Sequence, residues 1–154
     1  MTAIPPSLQA LLDDFALMPD RGARAEYLIE IADRFDAVRV PPEVAQRPYD
    51  EARRVPACES DAYMWALDNP DGTLTYRFDV LNPQGLSAMA MAVVLDETCS
   101  GAPLEQVANV HADIVFALFG KEISMGKGQG LMGLVSMVQR AAKQRLGAPK
   151  RSGV

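Results

Sequence analysis

The sequence predicts an α+β fold, a small three-stranded antiparallel sheet packed by helices. Three observations carry it. Apolar residues recur at helical spacing near both ends of the chain. In the middle, Leu74, Tyr76, Phe78 and Val80 alternate with Thr73, Thr75, Arg77 and Asp79. The first pattern buries one stripe of a helix and the second buries one face of a strand, leaving the other wet. Finally, 154 residues that are 49% hydrophobic and 23% charged suit one ordered domain. That domain is expected to span residues 1–146, with 147–154 as a loose basic tail.

Each element has its own signal. Ser7 is placed to cap a helix carrying Leu8, Leu11, Leu12 and Phe15, and Pro19 and Gly22 break it. A second helix runs from Ala23 to Phe35, with Tyr27, Leu28, Ile31 and Phe35 on one stripe. Pro41, Pro42 and Pro48 make Val40 to Tyr49 irregular, because proline fixes φ and removes a donor. Arg53 to Val55 and Asp61 to Leu67 read as the first two strands. Asn69-Pro70-Asp71-Gly72 is a turn, and the alternating run after it is the third strand. Helices follow over Leu86 to Thr98, after Pro103, over His111 to Phe119 with Gly120 as stop, and over Leu131 to Leu146.

Composition removes several functions. With 15 Lys and Arg against 20 Asp and Glu, the net charge is −5, the wrong sign for nucleic acid. Cys58, Cys99 and His111 are too few and too far apart for a structural zinc site. Two cysteines do not make a disulfide scaffold, so a reducing, cytoplasmic setting is expected. The N-terminal residues lack the basic region of a signal peptide. The longest apolar stretch, around Leu86 to Leu95, is too short to span a bilayer.

Cys58 is the most informative reactive residue. It sits at a loop tip between two strands, where a nucleophilic thiol has access. Arg53 and Arg54 favour a thiolate there, and Glu59 and Asp61 oppose it. A small buried apolar residue fits the same position. Cys99, at a helix end, reads as a packing thiol, and His111 as a surface residue at a helix start. Gly128, Gly130 and Gly133 match a dinucleotide fingerprint in letters, but a loop precedes them and the chain nearly ends after them. They read instead as a flexible lead-in to the last helix and as a candidate docking surface.

Four segments, in order, resemble a known family. Arg24 to Ile31 is similar to a conserved helix of the SufE-type sulfur acceptors, and Val55-Pro56-Ala57-Cys58-Glu59-Ser60 to their cysteine loop. Ser100 to Val107 resembles their Ser-Gly helix start, and Ser124 to Leu131 the start of their last helix. The resemblance covers about residues 10 to 146. It implies a SufE/IscU-like α+β fold with the cysteine on a mobile loop. It also implies that Cys58 accepts persulfide sulfur from a SufS-like, pyridoxal-phosphate-dependent cysteine desulfurase and passes it to a SufBCD-like iron–sulfur scaffold. The cofactor belongs to the partner; none is expected on this chain, nor independent turnover. Docking is expected through Arg24, Glu59, Ser60, Asp79, Lys127, Gln129 and Gly130. The family's glycine before the cysteine is Ala57 here, and its arginine in the last motif is Lys127. Two other functions fit the residues: a thiol redox sensor using Cys58 and Cys99, and a binding module of this fold without sulfur transfer.

Overall fold

The computed structural model describes residues 3–18 and 20–148. Of the expected tail, residues 149–154 lie outside the described residues, as does Pro19. The element order is α1 (Pro6–Ala16), α2 (Arg21–Ala32), β1 (Ala62–Asp68), β2 (Leu74–Val80), α3 (Leu86–Cys99), α4 (Leu104–Ala108), α5 (Ile114–Phe119) and α6 (Met125–Gly147). Short 3-10 turns at Phe35–Val38 and Glu51–Arg53 join them. Among the described residues no helix is long and apolar enough to cross a membrane.

The expected turn folds as read: Gly72 N–H donates to Asn69 O, and the φ of 89° is one glycine adopts freely. It joins β1 and β2 in an antiparallel hairpin that pairs Ala62 with Val80 and Asp68 with Leu74.

The sheet has two strands, not three. Where the first strand was expected, Asp50 caps a 3-10 turn by accepting from Ala52 N–H, and Arg54 makes a single bridge to Tyr63. Pro56 follows at once and cannot donate to a ladder, so pairing ends with the Val55 N–H to Ala62 O bond. A three-stranded sheet is therefore not what these residues form.

α3 is the central element. It packs on β2, α1, α2 and α6, and all but its first turn and Glu97 lies in or near the core. The expected single stripe gives way to burial around most of the helix. α1 ends at Ala16, and α2 starts at Arg21 rather than at Ala23, so Gly22 lies inside its first turn; Asp20 caps it by accepting from Ala23 N–H at 2.8 Å. Ser7 lies inside α1 and caps nothing; its hydroxyl reaches Thr98 O at 3.5 Å.

The hairpin's outer face is not wet either. The segment after Arg39 crosses it, starting with a Val40 N–H to Phe78 O bond. Val40, Tyr63 and Trp65 form a second apolar cluster with Tyr49, whose ring centroid lies 4.7 Å from that of Trp65. Asp79 points into this layer and is 1% exposed. Arg39 and Arg47 donate to it at 2.9 and 3.0 Å and Tyr49 Oη at 2.6 Å, offsetting the cost of burying a carboxylate.

Candidate functional site

Cys58 lies in the loop between Val55 and Ala62. The Val55–Ala62 hydrogen bond fastens the base of this loop, and an Arg54–Asp61 ion pair spans it. Leu81 and Asn82 N–H donate to Asp61 and Ser60 O, tying the outgoing limb to the residues after β2. Two tip residues have left-handed backbone, Ala57 at φ 59° and Asp61 at φ 51°. Aspartate tolerates that region; alanine is strained there by about 1 kcal/mol. Ala57 thus occupies the conformation for which its resemblance to the family's glycine position suggested glycine.

The loop lies against the first turns of α6. The glycine-rich stretch is helical, contrary to the expected flexible lead-in, and Ser124 caps it by accepting from Lys127 N–H at 3.4 Å. The glycines serve close approach. A Cβ at Gly130 would stand 3.0 Å from Cys58 Cα, and one at Gly133 would stand 3.0 Å from Pro56 O. Gly85, before α3, does the same for the other limb: its Cβ would meet Ser60 Cβ at 2.8 Å. The cysteine loop therefore rests on backbone, with no α6 side chain at 130 or 133 to interlock with it.

Cys58 is 8% exposed and stands between two hollows. Inward is a cavity of about 90 Å³ shared with Gly85, Ala88, Gly130 and Leu131; the charged residues on its wall are Glu59 and Lys127. Outward is an open dish lined also by Glu51, Arg54, Ala57, Glu59, Gly126 and Gln129. A groove floored by Leu28, Ile29, Leu86 and Phe119 continues from the inner cavity through Gln84, Leu86, Ser87 and Lys127. Ile29 and Leu86 are about half exposed there.

The residues singled out from the sequence separate clearly. Glu59, Ser60, Lys127, Gln129 and Gly130 all line the hollows at Cys58. Arg24 is one step away, beside Lys127 and Ser124 in an adjoining cleft, and its buried Nε has no partner among the described residues. Asp79 is not part of this surface. Its carboxylate is enclosed by Arg39, Arg47 and Tyr49, so its atoms offer a partner nothing. Arg54 is paired with Asp61, and Arg53 lines a different cleft, so neither is a free charge for the thiol. Gln84 to Ser87 also line the cavity, and their only local mark as site residues is the Asn82-Pro83-Gln84-Gly85 turn signal just before α3.

Cys99 is the last residue of α3, fully buried, its sulfur 3.6 Å from Thr98 Oγ1. Burial pushes its thiol up to about 11. Cys58 sits at the other end of the same helix, beside Ala88. The eleven-residue rise from Ala88 to Cys99 is about 16 Å. A disulfide needs Cα atoms within about 7 Å, so a Cys58–Cys99 switch would require dismantling the core. His111 is exposed, its Nδ1 3.3 Å from Asp113 Oδ2, and meets no other reactive group.

Comparison with known proteins places this geometry. A family model described as SufE, the Fe-S metabolism associated domain, matches residues 9–142. The chain is 26% identical over 149 residues to a protein of Rhizobium etli named an uncharacterized SufE-like protein, covering 92% of this chain and 93% of that one. Its fold is shared with the solution structure of a hypothetical protein from Thermus thermophilus, at a TM-score of 0.66 and 24% identity, over 94% of this chain and 99% of that one. With most of its length matched by the family model and Cys58 seated on the glycines of α6, the chain belongs to the SufE family of Fe-S metabolism associated domains.

Proposed function

We propose that this chain is a persulfide carrier, taking sulfur from a cysteine desulfurase onto Cys58 and delivering it to an iron–sulfur scaffold. The Cys58 thiolate attacks the terminal sulfur of the desulfurase persulfide. A new sulfur–sulfur bond forms at Cys58, the old one breaks, and the desulfurase thiolate leaves. No electrons are gained or lost overall, so the step needs no oxidant and no cofactor on this chain. Delivery repeats the exchange with an acceptor thiolate.

The observation that carries this reading is the seating of Cys58. A carrier must shield a sulfane sulfur between partners and present it to each. The inner cavity supplies cover beside the thiol. The loop rests on Gly130 and Gly133 rather than on interlocked side chains, so lifting it exposes little. Exposing one small thiol costs on the order of 1 kcal/mol, and release of the Ala57 strain offsets about as much. The groove of Leu28, Ile29, Leu86 and Phe119, edged by Arg24 and Lys127, opens beside the thiol and suits a partner's apolar contact. Docking there is expected to stimulate the desulfurase, because an acceptor held in place removes its bound sulfur.

Incubation with a cysteine desulfurase and cysteine tests this. Mass spectrometry is expected to show one added sulfur atom on Cys58, absent in Cys58→Ser. No added sulfur, with the desulfurase rate unchanged, would leave the alternative of a SufE-fold binding module without sulfur transfer.

A further inference from the structure

The geometry points to a second docking site, a cleft at the turn end of the hairpin that takes an extended acidic peptide with apolar side chains. Its floor is Met64, Leu74 and Met137, between the inner face of the hairpin and the C-terminal half of α6. Its rim carries Arg53, Arg140 and Arg145. The cleft encloses about 450 Å³. None of the residues at Cys58 lines it.

The charges choose the occupant. Arg145 is paired with Asp68, whereas Arg53 and Arg140 have no carboxylate within ion-pair distance among the described residues. Three guanidinium groups around one carboxylate make a cationic patch on a chain whose net charge is −5. An acidic chain, repelled by the prevailing negative charge, is drawn to such a patch. Guanidinium forks fit carboxylates in bidentate pairs.

Shape narrows it further. From Met137 to Gly147 the helix wall runs about 15 Å, room for about five residues of extended chain. In such a chain, alternate side chains can reach the apolar floor while their neighbours meet the arginines. A small inorganic anion would leave that floor wet, and the cleft wall presents no aromatic ring on which a nucleotide base could stack. The site is independent of sulfur chemistry at Cys58 and stands whether or not Cys58 carries sulfur.

The test is fluorescence anisotropy of the full chain with a labelled peptide of alternating glutamate and leucine. Saturable binding is expected, weakened by high salt and at least about tenfold by Arg53→Gln combined with Arg140→Gln. A glutamine–leucine peptide should bind the unaltered chain equally poorly, a comparison that needs no variant to fold. Lys121→Gln, outside the cleft, should change nothing. Absent saturation, or equal binding to the double variant, would overturn the site. So would displacement by tripolyphosphate at the peptide's own concentration, which would assign the cleft to small polyanions. Self-association abolished by the same double variant would assign it to a second copy and overturn it as well.

Discussion

The two cysteines teach by contrast. Both are buried, and exposure alone would call both inert. Cys99 closes the central helix, with the hairpin, α1, α2 and α6 packed around that helix. Nothing frees it short of taking the core apart. Cys58 also belongs to the core cluster, but it sits at a loop tip that rests on the glycine backbone of α6 beside a small cavity. What separates a reactive thiol from a packing thiol is the size of the structural unit that must move to expose it.

The largest expected effect tests that difference directly. Opening the Cys58 loop is expected to cost a few kcal/mol at most, while exposing Cys99 requires the global unfolding energy, about 5 kcal/mol or more. Alkylation of Cys58 should therefore outpace that of Cys99 by at least about a hundredfold, read by peptide mapping. Asp79→Asn sharpens the contrast. It removes the carboxylate that holds Arg39, Arg47 and Tyr49 across the hairpin, and should cost about 3 kcal/mol in denaturant unfolding. It should speed Cys99 labelling and leave Cys58 labelling unchanged, because the latter reports only its loop.

A pH series isolates Cys99. Its folded-state value is raised from 9.0 to about 11 by burial. Its contribution to stability is fully present below the unfolded value and is lost as pH rises through the folded one. Unfolding measured from pH 9 to pH 11 should show a loss on the order of 2 kcal/mol that Cys99→Ala lacks. Gly130→Ala acts on the other cysteine. The added Cβ meets Cys58 Cα at 3.0 Å and tilts the loop outward, so Cys58 alkylation should rise about tenfold with Cys99 unaffected. The smallest effect is Ala57→Gly, which relieves the left-handed strain of the seated loop and should slow Cys58 alkylation about threefold.

Much of this was legible in the sequence. The Asn69–Gly72 turn and the alternation after it placed the hairpin, because local turn chemistry and one buried face decide that region together. The cysteine loop was legible from Pro56 and its flanks. The missing strand was not, because three residues before a proline look extended whether or not they find a partner. Gly126, Gly128 and Gly130 looked like a loop because glycine weakens an isolated helix by up to about 1 kcal/mol per residue. Here the distant cysteine loop requires the missing side chain of Gly130, as it does that of Gly133, and Ser124 supplies a cap. Asp79 looked solvent-facing because its cover comes from Arg39, Arg47 and Tyr49, thirty to forty residues earlier. Long-range cover of that kind leaves no mark on local periodicity.

The most direct test of the account is the denaturant dependence of alkylation at the two cysteines, below the unfolding transition. Cys58 labelling should be nearly flat with denaturant, since a small loop exposes little surface, while Cys99 labelling should rise with the full slope of global unfolding. Two parallel lines of the same slope would mean that Cys58 emerges only when the whole domain unfolds, and the carrier mechanism would have no moving part.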